Sequence, residues 1–269
     1  MSFFQAEQIS AGYGAKPALQ SVSFFCESGL LFGILGANGS GKTTLMKAIC
    51  GVLPHEGNCT LDGISLEKLS PRQIAKLCSY IPQRSGISID ISAMDVVLMG
   101  YNPRLGLLEQ PDKKMQEKAR AALCQVGLEE HIEDNYLTLS EGQKQLCILA
   151  RTLVSDCRLL LLDEPESALD FRYRYQMLDI LKQWVRKEPR AAILTLHDPE
   201  LALRYCDRLL LLRDGKVTGI LNPASDSLEN MEAQLSQIYG KVSLIRCMDH
   251  QNMKHLVMLK EKEGVTWNQ

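Results

Sequence analysis

Residues 36–43 read Gly-Ala-Asn-Gly-Ser-Gly-Lys-Thr and fit the pattern G-x-x-x-x-G-K-[ST] at every position. Such a loop binds phosphate. Gly36, Gly39 and Gly41 carry no side chain, so the backbone N–H groups through Asn38 and Ser40 can turn inward around the β- and γ-phosphates of a nucleotide. Lys42 adds a point charge, and the Thr43 hydroxyl, with Thr44 beside it, stands where Mg²⁺ is held. The flanks supply the required context. Residues 30–35 are an apolar run short enough for a buried strand, and Leu45, Met46, Ala48 and Ile49 continue as a helix. That helix, beginning near Gly41, turns its positive N-terminal end toward the same anion. The expected ligand is a nucleoside triphosphate.

A second set of residues suits hydrolysis. Residues 158–165 read Arg-Leu-Leu-Leu-Leu-Asp-Glu-Pro, a continuous apolar run that predicts a parallel strand buried on both faces and ending in two acids. Asp163 is placed to reach Mg²⁺ through water, and Glu164 to orient an attacking water. Adjacent acids at a strand end are sometimes only solvated, but a phosphate loop on the same sheet needs an acid partner. Gln83 ends a short strand over 79–83, and His197 follows a strand over 191–196; neither residue means much alone. Residues 139–143, Leu-Ser-Glu-Gly-Gln, precede a helical run. Ser140 is a competent N-cap, which leaves Gly142 and Gln143 unexplained. Tyr13 sits in a turn, where stacking on a purine and capping a core edge are equally open.

The elements that position these groups follow from the patterning. Residues 3–28 alternate apolar and polar around Gly12-Tyr13-Gly14, as antiparallel strands do. A strand over 57–61 turns at Asp62-Gly63, and 71–76 suits a helix with Pro71 in its first turn. From residue 84 to about 154 only helical spacing occurs, at 93–99, 113–126 and 143–154, which reads as an inserted helical subdomain. Helix is expected over 171–187, and a strand over 208–212 closes in the hairpin turn Arg213-Asp214-Gly215-Lys216. The last 45 or so residues read as a small appended hairpin, with runs at 243–247 and 255–259. The domain reading is therefore a nucleotide-hydrolysing domain over 1–225 and an extension over 226–269.

At 269 residues, 45% hydrophobic and 23% charged, the chain has an ordinary globular composition. A net charge of −2 without a like-charged run argues against a nucleic-acid partner. No apolar stretch approaches the roughly 20 residues that span a bilayer, and the N-terminus lacks signal-peptide pattern. Nine cysteines without a C-x-x-C pair read as reduced thiols in the cytosol, with no metal spacing.

The phosphate loop, Gln83, Leu139 to Gln143, the 159–164 strand, Ser167-Ala168-Leu169-Asp170 and His197, in that order, resemble the ATP-binding subunit of an ABC transporter. The resemblance covers about residues 3–220. It implies a P-loop NTPase fold: a mainly parallel sheet flanked by helices, with an antiparallel β subdomain and an inserted helical subdomain. It also implies that Tyr13 stacks on adenine, Gln83 senses Mg²⁺ and the permease, Glu164 is the catalytic carboxylate, and His197 contacts the γ-phosphate. Ser140, Glu141, Gly142 and Gln143 would complete the site on a partner chain. Pro71-Arg72-Gln73-Ile74-Ala75, Tyr80 to Gln83, Asp95 to Tyr101, His197 to Arg208 and Gln237-Ile238-Tyr239-Gly240 are similar to importers of iron–siderophore, haem and cobalamin complexes. Glu141, Leu146 and Glu166 depart from the family pattern.

Two anion sites lie in one chain, the phosphate loop and the N-terminus of the signature helix, yet one nucleotide has one γ-phosphate. A homodimer that places ATP between the loop of one chain and the signature of the other uses both. The resemblance further implies integral membrane permease subunits as partners, a periplasmic or extracellular substrate-binding protein acting indirectly, and a cytoplasmic location on the inner face of the cell membrane. The other readings are a cytosolic ATPase in assembly or regulation and the ATPase of an exporter. The segment 84–110, which follows Gln83 and carries Ile87, Ile89, Ile91, Leu105, Leu107 and Leu108, is expected to face the permease.

Overall fold

The computed structural model describes residues 2–14, 16–83, 86–106, 108–187, 189–250 and 252–261. Its first strands, β1 (Phe4–Tyr13) and β2 (Lys16–Cys26), pair antiparallel, and their exposure alternates as the sequence does. β3 (Leu31–Leu35) is buried at all five positions and leads through the glycine loop into α1 (Lys42–Ile49). β4 (Glu56–Leu61) and β5 (Ile64–Ser65) are joined by Asp62 and Gly63 at φ of 50° and 77°, the left-handed pair that a two-residue hairpin of this twist requires. They complete an antiparallel sheet ordered β2-β1-β4-β5. α2 (Pro71–Leu77), started by a capping box of Ser70 and Gln73, delivers the chain to β6 (Cys78–Ile81).

Helices follow: α3 (Ala93–Leu98), α4 (Lys113–Gln125) and α5 (Glu141–Val154), packed on one another. Ser92, Asp112 and Ser140 each cap one of them by accepting the N–H three residues on. α5 starts two residues before its apolar period because of that cap. Then come β7 (Leu159–Asp163), α6 (Phe171–Arg186), β8 (Ala191–Thr195), α7 (Pro199–Tyr205), β9 (Arg208–Arg213) and β10 (Lys216–Leu221). The main sheet is ordered β10-β9-β3-β8-β7-β6 and is parallel except for β10.

The period of two divides this sheet's side chains between two cores. Leu159, Leu161, Phe32, Ile34, Leu210 and Leu212 face α1 and the antiparallel sheet. Leu160, Leu162, Leu31, Leu35, Leu209 and Leu211 face the opposite layer with α5 and α6. The four leucines of β7 are fully buried, and each contributes about 1.5–3 kcal/mol of transfer free energy. A run apolar on both faces fits nowhere but the interior of a layered sheet.

Two expectations need correction. The C-terminal segment holds a helix, α8 (Leu228–Tyr239), ahead of the hairpin of β11 (Val242–Met248) and β12 (Lys254–Lys260). Leu228, Met231, Leu235 and Ile238 recur at helical spacing, and Met231 and Leu235 are fully buried in the core that includes Leu209 and Leu211. Leu105 is not a surface residue. It is 7% exposed and belongs to the core, because the turn Met99–Tyr101 folds the chain back and Leu105 N–H reaches the Tyr101 carbonyl. Ile87 and Ile91 are half-buried, whereas Ile89 and Leu108 are exposed; Arg84 and Leu107 lie outside the described residues. Among the described residues no helix is long and apolar enough to cross a membrane.

The β9–β10 turn braces the glycine loop. Gly215 N–H donates to the Ser40 carbonyl at 3.0 Å, and the Gly215 carbonyl accepts from Gln20 N–H at 2.9 Å. Gly215 has φ +74°, and a Cβ there would lie 2.4 Å from the Ala18 oxygen. Gly215→Ala is therefore expected to cost at least about 1–3 kcal/mol in urea unfolding and to weaken nucleotide binding. Unchanged stability would show that the turn does not hold the loop.

Candidate functional site

In the glycine loop, backbone conformation decides the residue types. Gly39 and Gly41 sit at φ of +80° and +106°, and a Cβ on Gly36 would come within 2.3 Å of the Leu212 oxygen. Ala37, Asn38 and Gly39 form an exposed crest; Ser40 beneath them is buried, with no hydrogen-bond partner for its hydroxyl. Lys42 is buried and its Nζ donates to the carbonyls of Gly36 (2.9 Å) and Ala37 (3.3 Å). Burial pushes its pKa down, and the nearby carboxylates of Glu164, Asp163 and Glu166 oppose that. Thr43 is exposed on the first turn of α1, and Thr44 is buried beside it.

Because β3, β6, β7 and β8 are parallel, their carboxyl ends meet at one edge of the sheet, where α/β sheets bind ligands. Asp163 pairs in register with Thr195. The Thr195 hydroxyl donates to Asp163 Oδ1 at 2.8 Å and accepts the Glu164 N–H at 2.8 Å, with all three groups buried. Glu164 stands at φ +50°, a left-handed conformation that costs a residue with a Cβ about 1–3 kcal/mol. Its Oε2 accepts from Gln83 Nε2 at 2.7 Å and lies 2.8 Å from His197 Nε2. Gln83, Glu164 and His197, far apart in sequence, thus converge on one oxygen.

Glu166 supports this group from below. It is almost fully buried, its Oε1 accepts the His197 N–H at 2.9 Å, and its Oε2 has no partner. Burial raises its pKa, and the His197 N–H works in the other direction. Sequence reading saw Glu166 only as a departure and did not single out Thr195. The signal for Thr195 was a polar residue ending an apolar strand.

The signature residues stand apart from this cluster. Ser140 caps α5: its hydroxyl accepts Gln143 N–H at 3.2 Å, and Gln143 Oε1 accepts Ser140 N–H at 2.9 Å. That reciprocal capping box fixes the Gln143 amide so that Nε2 meets His131 Nε2 at 2.8 Å, while His131 Nδ1 meets Asp134 at 2.7 Å. Gly142 faces its own chain's Ala168 carbonyl, 3.4 Å from where a Cβ would stand. Glu141 pairs with Lys144 at the surface, and Leu146 is buried in the core. Among the described residues no hydrogen bond or ion pair joins 140–143 to the glycine loop. Tyr13, at the end of β1, is 54% exposed and belongs to the antiparallel sheet.

Thr195→Val keeps the shape of the side chain but leaves Asp163 Oδ1 and the Glu164 N–H unpaired inside the protein. It should cost about 1–3 kcal/mol per orphaned group in urea unfolding and lower ATP turnover. Wild-type stability would show that the hydroxyl holds neither acid. For Glu166 the sign follows from the raised pKa. The folded state binds more protons than the unfolded one between the usual carboxyl pKa and the raised value, so stability falls as pH rises through that window. In the nucleotide-free protein Glu166→Gln should remove that slope. It should match wild type in acid and exceed it at neutral pH; parallel pH profiles would place the ionised carboxylate at no disadvantage.

Residues 19–167 match the family model described as ABC transporter. An iron chelatin transport ATP-binding protein of Helicobacter pylori is 33% identical over 237 residues, covering 87% of this chain and 92% of its own. A hemin import ATP-binding protein of Vibrio anguillarum is 32% identical over 247 residues, 90% of this chain and 92% of its own. The chain spans about half, 48%, of a Bacillus subtilis ABC transporter ATP-binding protein that is 34% identical over 213 residues. Among solved structures, an inward-facing metal-chelate type ABC transporter superposes with a TM-score of 0.81 at 23% identity, covering 97% of this chain and 99% of that one. A dimeric ATP-binding cassette with ADP and phosphate superposes with a TM-score of 0.73 at 23% identity, covering 82% of this chain and 98% of that one.

Proposed function

The chain belongs to the ABC transporter family, and from that premise we propose that it is the ATP-hydrolysing subunit of an importer for a metal chelate of the iron–siderophore, haem or cobalamin type. The names of the hemin and iron chelatin relatives support that cargo class. Its partners are a second copy of itself, membrane permease subunits that hold it to the inner face of the cell membrane, and, indirectly, a substrate-binding protein outside.

The observation that carries the reading is the convergence of Gln83 and His197 on Glu164 Oε2 beside the buried Lys42. Glu164 is the general base. Two donors and a hydroxyl-bonded backbone N–H hold its carboxylate at the sheet edge, where it can orient a water and take its proton. Lys42 and the N–H groups of the loop bind the β- and γ-phosphates, and His197, whose Nε2 meets Glu164 in this structure, contacts the γ-phosphate once ATP is bound. Thr43, Gln83 and Asp163 offer only oxygen donors, counting the Gln83 amide oxygen, which suits a hard cation; Mg²⁺ held there would neutralise phosphate charge. Tyr13 stacks on the adenine from its exposed position. Gln83 ties the site to the segment that follows it, where the exposed Ile89 and Leu108 face the permease.

Ser140, Gly142 and Gln143 complete the nucleotide site of the partner chain. The N-terminus of α5 presents unpaired N–H groups and the positive end of the helix dipole, a second anion site of the same kind as the loop. ATP between the two chains joins them, and loss of the γ-phosphate releases them, a nucleotide-driven switch.

The test is a mixed dimer of one Ser140→Arg chain and one Lys42→Ala chain. Both lesions then fall in one composite site and leave the other intact, whereas each mutant homodimer is damaged at both. ATP-dependent dimerisation should be retained in the mixed dimer and lost in the homodimers. A mixed dimer no better than either homodimer at holding ATP would remove the cross-chain arrangement. A Ser140→Arg monomer with full hydrolysis would do the same.

A further inference from the structure

At the end of α1 remote from the phosphate loop, three ligand atoms from three elements converge. A nitrogen of His55, the sulfur of Cys59 and a carboxylate oxygen of Glu67 all lie within 4.8 Å of one another. His55 leaves the loop after α1, Cys59 is in β4, and Glu67 is in the single turn Leu66–Lys68 after β5. The tight Asp62-Gly63 hairpin brings the last two together.

The imidazole of His55 is nine-tenths buried, with only 10% of the side chain exposed. Its Nδ1 lies 3.3 Å from the Leu53 carbonyl, so that nitrogen carries the proton and donates it there. In the neutral imidazole the lone pair is then on Nε2, which is buried without a hydrogen-bond partner and lies 3.5 Å from Glu67 Oε1, the contact the protonated ring would use as an ion pair. A histidine whose far N–H is tied to a backbone carbonyl and whose other nitrogen is bare is oriented as metal-ligating histidines are. Left without a ligand, a buried unpaired acceptor costs about 1–3 kcal/mol. Glu67 is oriented too: Oε1 accepts the Cys59 N–H, and Oε2 accepts the Ser65 hydroxyl at 2.9 Å. Each oxygen keeps a second lone pair.

One of the three ligand pairs already has the spacing of a tetrahedral ion, and the other two lie within 4.8 Å. Bonds of about 2.0–2.3 Å put neighbouring ligands about 3.3–3.8 Å apart, which the His55–Glu67 pair already meets. Charge also balances, since a neutral imidazole, a thiolate and a carboxylate together cancel a divalent cation in a half-buried place. Nitrogen, sulfur and oxygen donors select a borderline-soft ion over Mg²⁺ or Ca²⁺. A cavity of about 370 Å³ lined by Leu53, Pro54, His55 and Glu67 opens beside two of the three ligands, leaving a route to a fourth position.

We propose that His55, Cys59 and Glu67 form a three-ligand site for a divalent cation of the zinc class, separate from the nucleotide site and independent of the transport reading. On binding, the Cys59 thiol releases its proton to water and the sulfur bonds the metal. The ion ties the exit of the phosphate-loop helix to β4 and to the turn after β5.

The test uses the full chain, stripped by chelator and titrated with Co²⁺ without nucleotide. One equivalent should give the visible d–d bands of four-coordinate cobalt and a thiolate-to-cobalt charge-transfer band, both abolished by excess Zn²⁺. Cys59→Ser and His55→Gln should lose both bands, while Cys124→Ser, which removes an exposed thiol elsewhere, keeps them. Because the two buried substitutions can disturb folding, Ser65→Ala gives a second reading. It removes the Ser65 hydroxyl from Glu67 Oε2 and from Asn58 Oδ1 without touching a ligand atom, and should weaken Co²⁺ binding about 10–100-fold with the thiolate band retained. A wild-type chain without the thiolate band overturns the site. So does a band that survives Cys59→Ser or His55→Gln, or an affinity unchanged in Ser65→Ala.

Discussion

One hydroxyl sets the geometry of the hydrolytic edge. Thr195 donates to Asp163 and accepts from the backbone of Glu164, so two consecutive acids with different environments are oriented by one side chain on the neighbouring strand. It can do so only because β7 and β8 are parallel and in the register that opposes Asp163 to Thr195. A shift of one residue would move every side chain of β7 to the other face and exchange the two cores. The leucines of β7 and the chemistry at its end are therefore fixed by the same register.

Electrostatics at this edge is a balance among buried charges. Lys42, Asp163, Glu164 and Glu166 are all buried within interacting range, and Lys42 feels all three carboxylates. Glu166, with one oxygen unpartnered, is the least compensated of them. Its compensation is positional: it holds the His197 backbone, and His197 in turn reaches Glu164. The left-handed backbone at Glu164 adds strain at the same point, which the flanking strand and the Thr195 bond over-determine.

The two helix N-termini are built differently for a physical reason. α1 has no side-chain cap, since Gly41 precedes it, so its first N–H groups are offered to a ligand. α5 has a full capping box, which satisfies the N–H groups of Ser140 and Gln143 and locks the amide through His131 and Asp134. Gln143 thus has a local structural role in holding the cap, and a Cβ on Gly142 would meet Ala168 only at ordinary contact distance. The remaining first-turn donors of α5 are what a partner's phosphate could use.

Local patterns carried most of the architecture. The glycine loop, the leucine run ending in Asp163 and Glu164, the caps at Ser70 and Ser140, and the Asp-Gly hairpins are determined by φ, hydrogen-bond geometry and side-chain period, all of which depend on neighbours in sequence. The signal for α8 was in the sequence, since Leu228, Met231, Leu235 and Ile238 recur at helical spacing behind the cap Ser227 and pack on the core. Leu105 was misplaced because a turn, not a periodicity, folds it inward. Thr195 and Glu166 were decided by tertiary structure alone, as was the bracing of the glycine loop by Gly215. Thr195 and Glu166 meet partners about thirty residues away, which only strand order and register bring together, whereas His55, Cys59 and Glu67 lie within thirteen residues and meet through the local Asp62-Gly63 hairpin.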